Sequence, residues 1–357
     1  MNKVICLCAA AAMLLASCSN DETVKIAEQN AISFRPVVGL NTKGLETTTN
    51  NLQTIKVTAY LGAAKQWENK AFEKGTSNFF ESLQKYYWPA NDDALTFTAF
   101  SDNWGITPTF TSNSDIKVTD VTVEDNVADQ KDMVYVTGVT GKKSTHETTG
   151  VELNLEHALS QIQINAKNEN SLYKYQVKGI RIAKAGNKST FDVINGTWGN
   201  ASDVKTYEIT YEQPVTLDNN EKSIMGSAGN AMLIPQTVGK WNGQKIDADV
   251  DGAYISVLLN ITTDAGALVY PKKTGGFAWA SVPVKFEWEK GKKYIYMLNF
   301  TNGAGKVDPV DPGQDWDKDE PQKDPDKGKD ILGEPIKFTV IVNNWDGQQI
   351  DLPMDQN

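Results

Sequence analysis

Residues 336–342 read Ile336, Lys337, Phe338, Thr339, Val340, Ile341 and Val342. Taken alternately, Ile336, Phe338, Val340 and Val342 make one apolar face, while Lys337 and Thr339 fall on the other. Side chains on a strand alternate faces with a period of two, so this run predicts a β-strand buried mainly on one side. Its β-branched and aromatic residues suit a pleated, half-buried surface.

Working outward, the same pattern recurs along the chain. Val, Ile, Thr, Tyr and Phe gather in short runs between Gly, Asn, Asp and Pro clusters, which is the spelling of strands and turns. Candidate strands cover 32–38, 54–61, 95–100, 116–123, 133–137 and a long run at 151–166. A second set covers 175–183, 206–211, 231–234, 254–262, 281–288, 293–300 and 336–342. Apolar residues spaced three and four apart over several turns are almost absent, so helices should be few. The expectation is an all-β chain of two β-sandwiches in tandem, at 31–168 and 169–306, divided at the polar stretch 167–171.

Between residues 307 and 330 the sequence carries eight aspartates, one glutamate, four lysines and four prolines. Such a stretch cannot offset its ordering entropy by burial, so it reads as a mobile acidic linker. The strand at 336–342, in the segment 331–357, then stands at the end of a tether, where it either completes its own second sandwich or is donated to a neighbour. Asp315, Asp317 and Asp319 start like a calcium loop, but Glu320 stands where glycine is needed and Asp326 where a bidentate glutamate belongs.

The N-terminus is of another kind. One cation, Lys3, precedes an apolar run at 4–16, which closes on Leu15, Ala16, Ser17 and Cys18. That order is a secretory signal of residues 1–17 ending in a lipobox, with cleavage between Ser17 and Cys18 and a lipid on Cys18. The run falls short of the ~20 apolar residues that span a bilayer. Residues 18–30 form an acidic tether opening on Ser19, Asn20, Asp21 and Glu22. The three cysteines are Cys6, Cys8 and Cys18, so cleavage and acylation leave no disulfide, no thiol nucleophile and no cysteine metal site. The net charge of −10 becomes −11 when Lys3 is lost, which opposes binding to nucleic acid.

Catalytic signatures are missing. No phosphate-binding Gly-Lys-Ser/Thr loop, nucleophile elbow or HExxH helix occurs. The two histidines are His146, in a polar turn, and His157, in an alternating strand where a structural role is the natural reading. A zinc site would need carboxylates to complete it. The chain therefore reads as a non-enzyme without cofactor or metal; a paired-carboxylate glycan hydrolase is the enzymatic rival.

Several blocks carry a family resemblance. Tyr86, Tyr87, Trp88 and Pro89 precede the run at 95–100; KDMVYV follows at 131–136, then LEHALSQI at 155–162. The second half adds Leu233, Ile234, Pro235 and Gln236, then GKKYIY at 291–296 and a closing Trp345. In this order they resemble the fimbrillin family, the type V pilins and their Mfa-like relatives. The resemblance implies two transthyretin-like Greek-key sandwiches, export as a lipoprotein held by Cys18 in the outer membrane, and assembly with other subunits into surface fimbriae. It also implies removal of the first strand by a cut after arginine in the following loop. Here that loop reads Leu40, Asn41, Thr42, Lys43, Gly44, so the expected cut lies between Lys43 and Gly44, because Arg35 stands before Pro36. The strand bearing Ile336, Phe338, Val340 and Val342 is the expected donor. The alternative is a monomeric surface lipoprotein that binds a glycan or a host protein.

Overall fold

The computed structural model describes residues 31–38, 47–75, 79–102, 107–313, 326–345 and 349–350. Ser17, Cys18, Lys43, Gly44, Asp315, Asp317 and Asp319 lie outside the described residues. The N-terminal strands are β1 (Phe34–Val38), β2 (Thr54–Leu61), β3 (Ala64–Lys74), β4 (Phe80–Glu81) and β5 (Leu95–Ser101). The hairpin β6 (Thr109–Ser112) and β7 (Asp115–Thr122) follows, then β8 (Val134–Gly141) and β9 (Val151–His157).

Seven of these close on themselves in the order β1-β4-β3-β2-β5-β8-β9. Closure removes free edges, which would otherwise template unwanted pairing. The ring encloses an apolar core of Phe34, Phe72, Phe97, Trp67 and Trp88 with aliphatic neighbours. Phe34 meets Phe72 and Phe97 edge-on at 4.8 and 5.0 Å between centroids, a favoured aromatic geometry.

The second unit begins with β10 (Ser160–Lys167), β11 (Tyr173–Asp192), β12 (Thr197–Trp198), β13 (Ser202–Thr216), β14 (Lys222–Ser223), β15 (Ala231–Leu233) and β16 (Thr237–Val238). It ends with β17 (Tyr254–Thr263), β18 (Leu268–Tyr270), β19 (Ala278–Pro283), β20 (Phe286–Glu287), β21 (Lys292–Asn299), β22 (Lys306–Val307), β23 (Lys337–Asn344) and β24 (Gln349–Ile350). One sheet runs β14-β10-β21-β23-β24 and a second runs β22-β19-β17-β11-β7-β6. Inward residues of both, such as Ile162, Tyr296 and Leu298 from one and Val177, Ile180 and Val257 from the other, share one core. The expected all-β architecture is present, and helix is confined among the described residues to one turn at Lys143–His146 and short 3-10 turns.

The sheets do not divide at residue 168. The hairpin β6-β7 leaves the barrel between β5 and β8 and pairs with β11 of the second unit. The long strand expected at 151–166 breaks at Ala158 and Leu159: β9 closes the barrel, while β10 pairs with β15 and β21. Both side chains at the break are buried, so the chain passes between the two cores without surfacing.

Candidate strand-exchange site

β1 closes the barrel by unequal means. On one side it runs parallel to β9 along its full length, from Phe34 against Val151 to Val38 against Leu155. On the other it meets β4 at a single pair, Phe34 with Phe80. Pro36 lacks a donor N–H and is tolerated where ladder hydrogen bonds are incomplete. What seats β1 is its side chains. Ile32, Phe34 and Val38 are 2%, 0% and 3% exposed, and Pro36 is buried between them.

β23 is held the other way. It pairs antiparallel with β21 along its length, from Lys337 against Asn299 to Asn344 against Lys292. Outside it lies the two-residue β24. Ile336 and Val342 are buried, whereas Phe338 and Val340 are only partly covered. The four expected donor residues therefore share the face that the alternation implied, within the chain's own second unit, on the sheet that carries β21.

The two segments spell the same plug. Ile32, Phe34, Pro36 and Val38 face inward on one; Ile336, Phe338, Val340 and Val342 face inward on the other. Read without gaps, ISFRPVV at 32–38 overlies IKFTVIV at 336–342 with Ile, Phe and Val matched and Pro36 against Val340. Comparison of the two ends of the sequence would have revealed this; reading each strand against its own flanks does not.

A short polar relay joins the surroundings of both strands. The Thr47 N–H, seven residues before β2, donates to Asp132 Oδ2 at 2.8 Å. His157 Nδ1 lies 2.9 Å from the same oxygen, and Asp132 is fully buried. The imidazole stacks on Trp345, just beyond β23, with centroids 4.2 Å apart and planes 3° from parallel. The Trp345 backbone N–H donates to the Gly291 carbonyl at 3.0 Å. His157 is thus structural, and the closing tryptophan is the peg that pins the far end of β23.

The stretch expected to be a mobile linker is docked at both ends. Asp308 is 1% exposed and accepts from Ser256 Oγ at 2.6 Å and from the amides of Val310 and Asp311. Burial holds its carboxyl above the ordinary value, against the pull of those hydrogen bonds and of the Arg181 charge. Arg181 in turn lies over the Trp279 ring at 4.0 Å and bonds Asp311. At the other end, Lys327 pairs with Asp247 and Lys306 with Asp330. Composition announces a polar segment; it does not show that two buried serines await one of its aspartates.

Other surfaces offer less. A recess of about 390 Å³ on the second unit is lined by Lys178, Thr210, Tyr211, Glu212, Leu258 and Phe277. Burial pushes the Tyr211 hydroxyl up to about 12, so that group is a neutral phenol at physiological pH. Among the described residues Tyr87 is the exposed large aromatic, at 54%, and it forms no stripe with others.

The fimbrillin-like family model matches residues 40–311, more than half of the 357 residues. The chain belongs to the fimbrillin-like family. No curated protein matches it. A solved fimbrial protein from Bacteroides vulgatus is 16% identical, with 88% of this chain and 99% of that one aligned at a TM-score of 0.56, which shows a shared fold. A protein of Bacteroides uniformis described as a cell adhesion protein aligns at 12% identity over 88% and 97% of the two chains, with a TM-score of 0.42. Another so described, from Parabacteroides distasonis, aligns at 13% identity over 88% and 100%, with a TM-score of 0.45. The matched span of this fimbrillin-like chain stops short of both β1 and β23, so their pairing rests on the geometry above.

Proposed function

We propose that this fimbrillin-like chain is a surface fimbrial subunit that is exported as a lipoprotein through Cys18 and polymerises by strand exchange. In this reading a cut after Lys43 frees β1, and β23 of a second subunit enters the vacated seat parallel to β9. The observation that carries it is the matched plug. Each inward residue of 336–342 is apolar and close in size to the one it would replace at 32–38. Backbone hydrogen bonds to β9 supply strength and alternate pockets supply register, as in other strand additions.

The driving force follows from burial. Phe338 and Val340 are only partly covered at home, whereas the Phe34 and Pro36 seats are closed. Completing the burial of two such side chains is worth on the order of 1 to 3 kcal/mol at ~25 cal/mol per Å². The fimbrillin-like family and the solved fimbrial protein support the same role, at the cell surface and with fellow subunits as partners.

The test uses the lysine-cleaved protein and a labelled peptide spanning 334–346. A stable complex is expected with the native peptide and none with Phe338→Asp. Equal binding of the two peptides sinks the donor-strand role. N-terminal sequencing of the cleaved chain at a residue other than Gly44 removes Lys43 from the reading.

A further inference from the structure

The route by which β23 reaches a neighbour depends on which part of the chain moves. The composition of 307–330 suggests a long tether, yet its two ends meet. Val307 N–H donates to the Lys329 carbonyl at 2.8 Å and Gly328 N–H to the Val307 carbonyl at 3.0 Å. The ribbon continues through Ile331 to Gly305, Ala304 to Leu332 and Glu334 to Asn302, at 2.9, 3.1 and 3.1 Å. Its inner strand is β22, paired to β19 at Val307 with Ala280 and Lys306 with Ser281. At the ribbon's end the chains cross so closely that a Cβ on Gly303 would lie 1.4 Å from the Glu334 carbonyl oxygen. Glu334 stands at this crossing with its N–H held by the Asn302 carbonyl, and directly after it come Pro335, exposed like Glu334, and then buried Ile336.

We infer that β23 exchanges by swinging about a pivot at Glu334 and Pro335, while the ribbon that pairs 302–307 with 328–334 stays in place. The inference rests on the exchange reading and specifies its moving part. Freeing β23 alone breaks its ladder with β21 and the Trp345 stack. Freeing the acidic segment as a tether also breaks five ribbon hydrogen bonds, each worth a factor of about 2 to 10 in the equilibrium constant, and the Lys306–Asp330 pair. A neighbour's groove offers those polar residues no compensating burial. The two designs differ in reach. A pivot of two residues keeps the root of β23 within about 7 Å of the crossing, whereas a 24-residue tether spans roughly 25 to 30 Å. The partner that fits is therefore a second copy of this chain whose acceptor barrel abuts the ribbon end, giving a stiff junction.

Two disulfide staples separate the designs, built in the chain from residue 18 with Cys18→Ser so that the introduced cysteines are its thiols. Lys306→Cys with Asp330→Cys, directly opposed in the ribbon, locks the base of the acidic segment. Ile295→Cys with Ile341→Cys, opposed on β21 and β23, locks the strand itself. After lysine-specific cleavage, ladders stable in cold detergent are expected at wild-type yield from the oxidised ribbon staple. The oxidised strand staple should give at least ten-fold less, restored by reductant. A ten-fold loss from the ribbon staple that reductant restores overturns the pivot in favour of the tether. Undiminished ladders from the strand staple, or none from wild type, overturn strand exchange and the pivot with it. Hydrogen exchange on the uncleaved wild-type chain provides a check without variants. Amides of 337–344 should exchange at least ten-fold faster than those of 304–307, and equal rates contradict the pivot.

Discussion

β1 and β23 carry nearly the same inward residues and are held in opposite ways. β1 has a ladder on one side, one pair on the other, and a fully enclosed face of side chains. β23 has a continuous ladder to β21 and a short partner in β24, but half of its apolar face is incompletely covered. The difference teaches that backbone pairing and side-chain seating are separable in a sheet. A strand can be firmly laddered and still gain by moving to a seat that covers its side chains better. The largest expected consequence lies at the paired phenylalanines. Phe34→Ala empties the centre of the barrel and should cost about 3 to 5 kcal/mol, whereas Phe338→Ala should cost about 1 to 2. Denaturant midpoints of the two variants measure this, and equal losses break the contrast.

The next largest effect is expected at the peg. Trp345 is 3% exposed and stacked on His157, so Trp345→Phe keeps a ring but loses area and alignment. A cost of about 1 to 2 kcal/mol is expected. Hydrogen exchange at 337–344 should accelerate while that at Phe34–Val38 stays unchanged. If β1 amides accelerate equally, the relay through His157 and Asp132 makes the two strands one cooperative unit, and the contrast between them disappears.

Much of this was legible in the sequence. The alternation at 336–342 names the face of β23 correctly, and the run at 32–38 falls within two residues of β1. Other parts were not. β3 escaped because its two buried aromatics, Trp67 and Phe72, stand five apart among charges, so no period of two shows. The run at 151–166 reads as one strand because Ala158 and Leu159 are as apolar as their neighbours; only the existence of two cores makes them a crossing point. The docking of Asp308 depends on Ser256 and Ser281, which come from strands far away in sequence. Long-range partners of this kind leave no local signature.

A pH dependence sharpens the contrast from the side of the approach to β23. Asp308 sits where the acidic segment leaves β22, and burial raises its carboxyl above the ordinary 3.8. The folded state therefore binds the proton more tightly than the unfolded state. The stabilisation from protonating Asp308 is fully present below the unfolded value and is lost as pH rises through the folded one. Asp308→Asn removes that dependence. Thermal unfolding between pH 3.5 and 7 should show the wild type gaining on the variant as pH falls. Parallel curves would falsify the view that a buried charge burdens this anchor.

The smallest expected effect tests the matched plug at its one mismatch, Pro36 against Val340. If the seat in β1 recognises an apolar side chain of that size, valine must fill it nearly as well as proline. Pro36→Val restores a backbone N–H, and β1 lacks a continuous ladder on its β4 side, so a solvent-satisfied donor there costs little. It also enlarges the ensemble of the unfolded chain, a loss of about 0.4 to 1 kcal/mol. A swap that nearly conserves volume adds little more. The net cost should stay below about 1.5 kcal/mol by denaturant midpoint, with Phe34 and Val38 amides as protected as before. A larger loss, with exchange spreading along β1, would show that the seat needs the proline ring itself. Val340 could not then fill it, and the resemblance between 32–38 and 336–342 would be one of spelling and not of fit.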